Sequence, residues 1–304
     1  MAFPHPDQIP APLVPRIARE WKPLFIPKSS GCYINDHCIL KGPDGAWHLF
    51  GITGTSELPN PEQERWFAHG QGSSSLWSDK PMHELDVVCN DGTRAWAPGV
   101  IGHDGRYFMF YGPSPTKLAV SRDLKHWMRE DVVLAGAPLE ACHRDHMVMQ
   151  LEESTWLLYA TGLDKAGMGV ISIYISNDLR NWRFVRSALR TTGKAALSPA
   201  WGATESPFVF LHQGWYYLSI TYTDCNPANY QQTLIFRSLN PFDFGVFDAD
   251  HPEQSVVQRL QAHAPEYLYD EKERSWHITT CGWRGFGLPH EGGVSIARLE
   301  WDAA

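Results

Sequence analysis

Apolar residues in this chain fall in short runs broken by turns, several of which carry Gly, Asn or Asp. One such pair of runs is His37-Cys38-Ile39-Leu40 and Trp47-His48-Leu49-Phe50, joined by Asp44-Gly45. A second is Pro98-Gly99-Val100-Ile101 and Tyr107-Phe108-Met109-Phe110, joined by Asp104-Gly105. Gly at a tight turn supplies the positive φ that hairpins need, so each pair predicts a β-hairpin. The same pattern returns at His146-Met147-Val148 before Trp156-Leu157-Leu158-Tyr159, and at Pro207-Phe208-Val209-Phe210 before Trp215-Tyr216-Tyr217-Leu218. It returns again at Pro265-Glu266-Tyr267-Leu268 before Trp276-His277-Ile278.

Aligned on His37, Pro98, His146, Pro207 and Pro265, the five units stand 61, 48, 61 and 58 residues apart. A second signature follows within the units. It reads Ser74-Ser75-Leu76-Trp77, then Ser121-Arg122-Asp123-Leu124 leading to Trp127, then Ser176-Asn177-Asp178-Leu179 leading to Trp182. Arg237-Ser238-Leu239-Asn240 and Ser295-Ile296-Ala297-Arg298 are degenerate copies. A unit of roughly 50–60 residues accommodates four strands, the size of a propeller blade. The expectation is an all-β, single-domain, five-bladed β-propeller over 31–304, with residues 1–30 as a Pro-rich N-terminal arm.

Composition agrees. Trp, Tyr and Phe number 13, 11 and 14 beside 25 Gly and 22 Pro, with 20% charged residues, which excludes a disordered chain or a helical bundle. The formal net charge is −8 with no basic run, so nucleic acid is not an expected partner. No apolar stretch reaches 18 residues, so no membrane helix is expected. The six cysteines form no C-x-x-C pair, which gives no sign of a zinc site. The opening residues, MAFPHPDQIPAPLVPR, lack the apolar core of a signal peptide, so the expected location is cytoplasmic with reduced thiols; a leader trimmed away would make it secreted.

In a propeller the first strand of each blade lines the central channel, and its opening residues converge at one end. Asp36, Asp145 and Glu205 occupy such places, with Glu266 one step further on. Carboxylates meeting in an aromatic-lined funnel are what hydrolysis of a glycosidic bond requires. One attacks or activates water, and another gives a proton to the leaving oxygen. His143, Asp145 and His146, with Asp36 and His37, also suggest a metal. In a regular strand, however, adjacent residues point to opposite faces.

These residues resemble known families. Asn35-Asp36, Arg144-Asp145 and Glu205-Ser206-Pro207 are similar to the N-D-P, R-D-P and E-C-P blocks of the invertase–levanase family, glycoside hydrolase family 32. Trp66-Phe67-Ala68-His69 with Ser74-Ser75-Leu76-Trp77 is similar to that family's W-G-H-A segment. Trp96-Ala97-Pro98 and Glu205-Ser206-Pro207 also resemble the arabinanase–xylosidase family, family 43, of the same fold. The resemblance implies Asp36 as nucleophile or general base, Asp145 as stabiliser of the oxocarbenium-like transition state, and Glu205 as general acid. It implies a substrate-binding set of Asn35, Trp66, His69, Trp96, Arg144 and Trp201. His263, Glu266 and Trp283 join that set by their place near the fifth blade's opening. The substrate is then a small oligosaccharide or glycoside, a fructofuranoside first and an arabinofuranoside second. No cofactor is required; a structural calcium in the channel would have His290 as its candidate ligand. The chain departs from the family blocks at His37, His146, Ser206 and Gly99. Two other readings stay open: a non-catalytic sugar-binding propeller, and a glycoside phosphorylase using Arg144, Arg284 and Lys165 to hold phosphate.

Overall fold

The computed structural model describes residues 10–18, 20–58, 60–136, 141–192, 204–222 and 227–304. The described strands form five sheets, one per repeat, which we number as blades I to V. Blade I comprises His37–Lys41, Trp47–Ile52, Phe67–Gln71 and His83–Val88. Blade II comprises Trp96–His103, Arg106–Gly112, Lys117–Ser121 and Trp127–Glu130. Blade III has the longer strands Ala141–Glu152, Thr155–Leu163, Gly169–Ser176 and Asn181–Thr191, with Val133–Ala135 and Val246–Phe247 added in parallel at its outer edge. Blade IV comprises Thr204–His212, Trp215–Tyr222, Thr233–Ser238 and Gln258–Leu260. Blade V comprises Tyr267–Asp270, Ser275–Thr280 and Val294–Ala303.

The outer edge of blade V comes from the other end of the chain. Leu13–Ile17 and Lys22–Phe25 both pair antiparallel with Val294–Ala303. The segment expected as a free arm therefore corrects to a blade strand. Its consecutive Leu24 and Phe25 are buried, and the segment supplies an edge that the local repeat could not announce.

The apolar side chains collect between blades, in five layers. Phe50 and Phe67 of blade I meet Met109 and Tyr111 of blade II. Phe108 and Phe110 meet Trp156 and Trp182 of blade III. Tyr159 meets Val209 and Leu218 of blade IV. Phe210 meets Tyr267 and Leu299 of blade V. Phe25 and Ile296 meet Leu49 and Trp47, closing the ring. Each such fully buried side chain contributes roughly 1.5–3 kcal/mol, so the aromatic content is spent on blade-to-blade contact.

The second signature is a turn between the third and fourth strands. In blade II the Ser121 hydroxyl accepts from the Leu124 amide at 2.9 Å, and Asp123 accepts from the Lys125 and His126 amides. Ser176 and Asp178 repeat the arrangement in blade III. The turn buries its Leu and sets the Trp after it, so Trp127 meets Phe50 edge-on at 5.5 Å and Trp182 meets Phe110 at 5.5 Å.

The first strands carry an irregularity that shapes the site. In blades II, III and IV the register slips by a bulge between Trp96 and Gly99, Arg144 and Met147, and Glu205 and Phe208. Within each bulge one residue has positive φ: Ala97 at 46°, Asp145 at 55° and Ser206 at 49°, with Ala264 at 44° in blade V. An extra residue in a strand breaks the alternation of faces, so two consecutive side chains can both turn inward.

Candidate active site

The bulges bring the opening residues of four blades to one end of the channel. Asp36 precedes the first strand of blade I. Arg144 and Asp145 lie in blade III, Glu205 and Ser206 in blade IV, and His263 ahead of blade V. Ser206 ties the aspartates together. Its hydroxyl donates to Asp36 Oδ1, and its amide donates to Asp145 Oδ2 at 3.0 Å. Arg144 bridges the other way, with Nη2 3.2 Å from Glu205 Oε1 and Nε 3.6 Å from Asp145 Oδ2. His263 Nε2 lies 3.9 Å from Glu205 Oε2 on the far side. Asp36, Ser206, Asp145, Arg144, Glu205 and His263 thus form one connected polar cluster.

Alternation would have separated Asp145 from His146, yet both are buried and both line the channel. The positive φ at Asp145 is the reason. The alignment also shows that Glu205 does not share the slot of the aspartates. It stands one residue earlier, in register with Arg144 and His263, while Ser206 occupies the aspartate slot.

The three carboxylates differ in their hold on protons. Burial pushes Asp145 up to about 7, and Arg144 opposes it only in part. Burial raises Asp36 as well, against the steadying of His263 and the Ser206 hydroxyl. Burial acts on Glu205 too, but His263 and Arg144 outweigh it and hold Glu205 below the ordinary carboxylate range.

Other expected substrate contacts divide. Asn35 Oδ1 accepts from the Tyr230 hydroxyl at 2.7 Å, and Tyr230 lies parallel over the His263 ring at 3.8 Å. Trp283 stands parallel to Tyr230 at 5.7 Å. Trp96 packs between blades I and II beside Glu64. Trp66 is held by its indole N–H to the Ser30 carbonyl at 2.8 Å. Trp201 lies outside the described residues.

Two expectations are corrected. His69 is buried within blade I, stacked on Phe50 at 4.4 Å and bonded to His48 at 2.9 Å, away from the carboxylates. It sits on the Phe67–Gln71 strand, and its ring packs on Phe50 on the side that faces the neighbouring blade. Glu266 turns down the channel instead of to its mouth. Its carboxylate accepts from the Ile39 amide at 2.9 Å, and burial pushes its pKa up to about 8, which keeps it neutral.

Below the cluster the channel is a cavity of about 150 Å³ lined by first strands of all five blades. His290 has no part in it. That side chain is exposed, and its Nε2 meets the Trp21 carbonyl at 3.2 Å. Most channel groups are already engaged: His37 with Thr279 at 2.7 Å and with Cys281, His146 Nε2 with Thr116, and Glu266 with Ile39, while His146 Nδ1 is buried without a partner. No group of three or more His, Cys, Asp or Glu among the described residues is placed to hold a metal ion. The donor set does not fit a directly ligated cation, and no step is routed through one.

Gly99 stands where the arabinanase–xylosidase pattern has an acid. A Cβ there would lie 2.0 Å from the His146 carbonyl oxygen, so the close approach of blades II and III leaves room for glycine alone. The phosphate cluster of the phosphorylase reading does not assemble. Arg144 is taken by carboxylates, Arg284 donates to the Cys32 carbonyl, and Lys165 is exposed in a blade III turn.

Sequence reasoning missed Ser206 as a linker, and also Tyr230, Glu64 and Tyr33. Ser206 left a trace as a departure from the E-C-P block. The others lie in connecting segments with no repeat to mark them.

A model of the glycosyl hydrolases of family 43 matches residues 77–269. An extracellular exo-α-(1→5)-L-arabinofuranosidase of Cellvibrio japonicus is 31% identical over 150 residues, 46% of this chain and 41% of that protein. The chain thus spans less than half the length of this curated relative. Among solved structures, a sucrose-6-phosphate hydrolase from Lactobacillus gasseri superposes with a TM-score of 0.63 at 16% identity, over 92% of this chain and 60% of that one. A family 43 enzyme from Xanthomonas citri gives 0.63 at 14% identity, over 92% of this chain and 90% of that one. These structures share the five-bladed fold. The cytoplasmic expectation is overturned, since the curated relative is an extracellular enzyme. No helix among the described residues is long and apolar enough to cross a membrane. With more than half of its residues matched by the family model, this chain belongs to the glycosyl hydrolases of family 43.

Proposed function

We propose that the protein hydrolyses α-L-arabinofuranosides, with Asp36 as the base or nucleophile, Glu205 as the general acid and Asp145 as the group that holds the cluster in register. The observation that carries this reading is the linkage of the three carboxylates through Ser206 and Arg144. The arabinofuranosidase relative favours this sugar over the fructofuranoside expected first from the N-D and R-D blocks.

Asp36 and Asp145 share Ser206, so both oxygens facing the channel mouth are fixed before a sugar arrives. As the glycosidic bond lengthens, positive charge grows on the sugar ring, and the aspartate pair stabilises it. The leaving oxygen needs a proton from Glu205. His263 is placed to pass one on. Its Nδ1 donates to the Cys281 carbonyl at 2.9 Å, which turns Nε2 toward Glu205. Arg144, on the first strand of blade III, holds the carboxylate through Oε1 while the proton moves.

The test is a panel of aryl glycosides and short oligosaccharides: α-L-arabinofuranosides, β-D-xylosides and β-D-fructofuranosides. Arabinofuranoside cleavage is expected to lead in kcat/KM, and Asp36→Asn to abolish it. Preference for a fructofuranoside would overturn the choice of sugar. Full activity in Asp36→Asn would overturn the mechanism.

A further inference from the structure

A fourth carboxylate stands beside the cluster and takes no part in the steps above. Glu64 follows the short helical turn Pro61–Gln63 and is 2% exposed. A buried carboxylate needs donors, and Glu64 Oε1 has two. The Tyr33 hydroxyl donates to it at 2.9 Å, and the Trp283 indole N–H at 3.2 Å. Its backbone is fixed too, since the Ala95 amide donates to the Glu64 carbonyl at 2.8 Å. The Glu64 side chain is therefore clamped between the segments leading into blades I and II, and it reaches across to the blade V loop between Ser275–Thr280 and Val294–Ala303.

What it holds there matters to the site. Trp283 lies parallel to Tyr230, with 9° between the rings, and its amide meets the Tyr230 hydroxyl at 3.3 Å. Tyr230 in turn stacks on His263 and donates to Asn35, the neighbour of Asp36. One line of contacts thus runs from Glu64 through Trp283 and Tyr230 to His263 and Glu205. Without its carboxylate anchor, the half-buried Trp283 indole would be free to turn about its side-chain bonds. The Asp36 charge is also near enough to contribute to the rise of Glu64 to about 7, after burial itself.

We propose that Glu64 is a positioning residue for sugar binding: its carboxylate pins the Trp283 indole as one wall of the sugar pocket. The role rests on the glycosidase reading and acts on the fit of the sugar, not on bond cleavage. The carboxylate stays covered, and the indole meets the sugar.

The experiment is a double-mutant cycle of Glu64→Leu and Trp283→Phe, with Glu64→Gln as the conservative variant. Activity on the best aryl glycoside is measured, together with monosaccharide affinity in an Asp36→Asn background and a thermal midpoint. Glu64→Leu is expected to raise KM and the sugar Kd about tenfold, with kcat within about threefold, as lost orientation in binding would do. Glu64→Gln keeps an acceptor oxygen for both donors and is expected to restore KM to near the wild-type value. The double variant is expected to lose no more than Trp283→Phe alone, because Glu64 acts through that indole. Additive losses, a fall in kcat with unchanged KM, or no change in Glu64→Leu at an unaltered midpoint would overturn the role. If Glu64→Leu does not fold, Glu64→Gln with a raised KM and an unaltered midpoint overturns it too. Wild-type protein that neither cleaves nor binds any of the sugars would overturn this role and the glycosidase reading together. Cleavage by the wild type with an unmoved KM in Glu64→Leu would overturn the Glu64 role alone.

Discussion

Blades II and III open onto the channel with the same backbone. Each has a bulge of two residues between paired positions, and each puts the first of the two at positive φ, Ala97 in one and Asp145 in the other. Blade II presents a methyl group there and packs against blade I. Blade III presents a buried carboxylate held by Arg144 and the Ser206 amide. The backbone device is thus general to the repeat, and chemistry is added by the side chain placed on it. The left-handed conformation has the same cost in both blades. Asp145 bears a further cost, the loss of water from a charge, which its raised pKa records.

The comparison is broken most forcefully at the acid in the neighbouring blade. Glu205→Gln keeps the Arg144 contact but has no proton to give, and kcat is expected to fall roughly 10²–10⁴-fold on substrates with poor leaving groups. Aryl glycosides with acidic phenols would suffer least, which separates loss of the acid from misfolding.

Asp145→Asn should show activity and stability moving in opposite directions. Between the ordinary Asp range and about 7 the native state holds a proton that the unfolded chain has released, so this group's contribution to stability falls as pH rises. Asparagine removes that dependence. The variant is expected to lose most of its kcat and to gain in thermal midpoint relative to wild type at pH 8, with little gain at pH 4. An equal gain at both values would show that the buried charge is not the cause.

Gly99→Ala tests the tight approach of the two blades. Its Cβ meets backbone that cannot swing aside, so urea denaturation should register a loss of about 3 kcal/mol, the upper end for overpacking. The smallest effect is expected from Ala97→Gly. It relieves a left-handed alanine but loosens the unfolded chain, and the two nearly cancel, leaving stability within about 1 kcal/mol and kcat unchanged.

The repeat was legible because each blade must state its own hairpin, turn and aromatic contact in local sequence. His37, Pro98, His146, Pro207 and Pro265 mark corresponding places on that basis. Asp36, Asp145 and Glu205 were legible as a set for the same reason. His69 was misread because a short block resemblance says nothing about which face of a strand is turned inward. Glu266 was misread by distance along the strand: two residues beyond Ala264 the chain has already descended the channel to Ile39.

The sequence by itself determined the five-bladed architecture, the sites of the turns and the presence of three carboxylates at blade openings. Those depend on local patterns of turn residues and apolar runs. Only the tertiary structure decided that Leu13–Ile17 and Lys22–Phe25 complete blade V, because strand partners almost the whole chain apart leave no local mark. It alone decided that Ser206 joins two aspartates and that Glu64 holds Trp283. A bulge can turn consecutive residues to the same side, and burial sets which carboxylate keeps its proton. Neither effect follows from residue order, since both arise where separate blades meet.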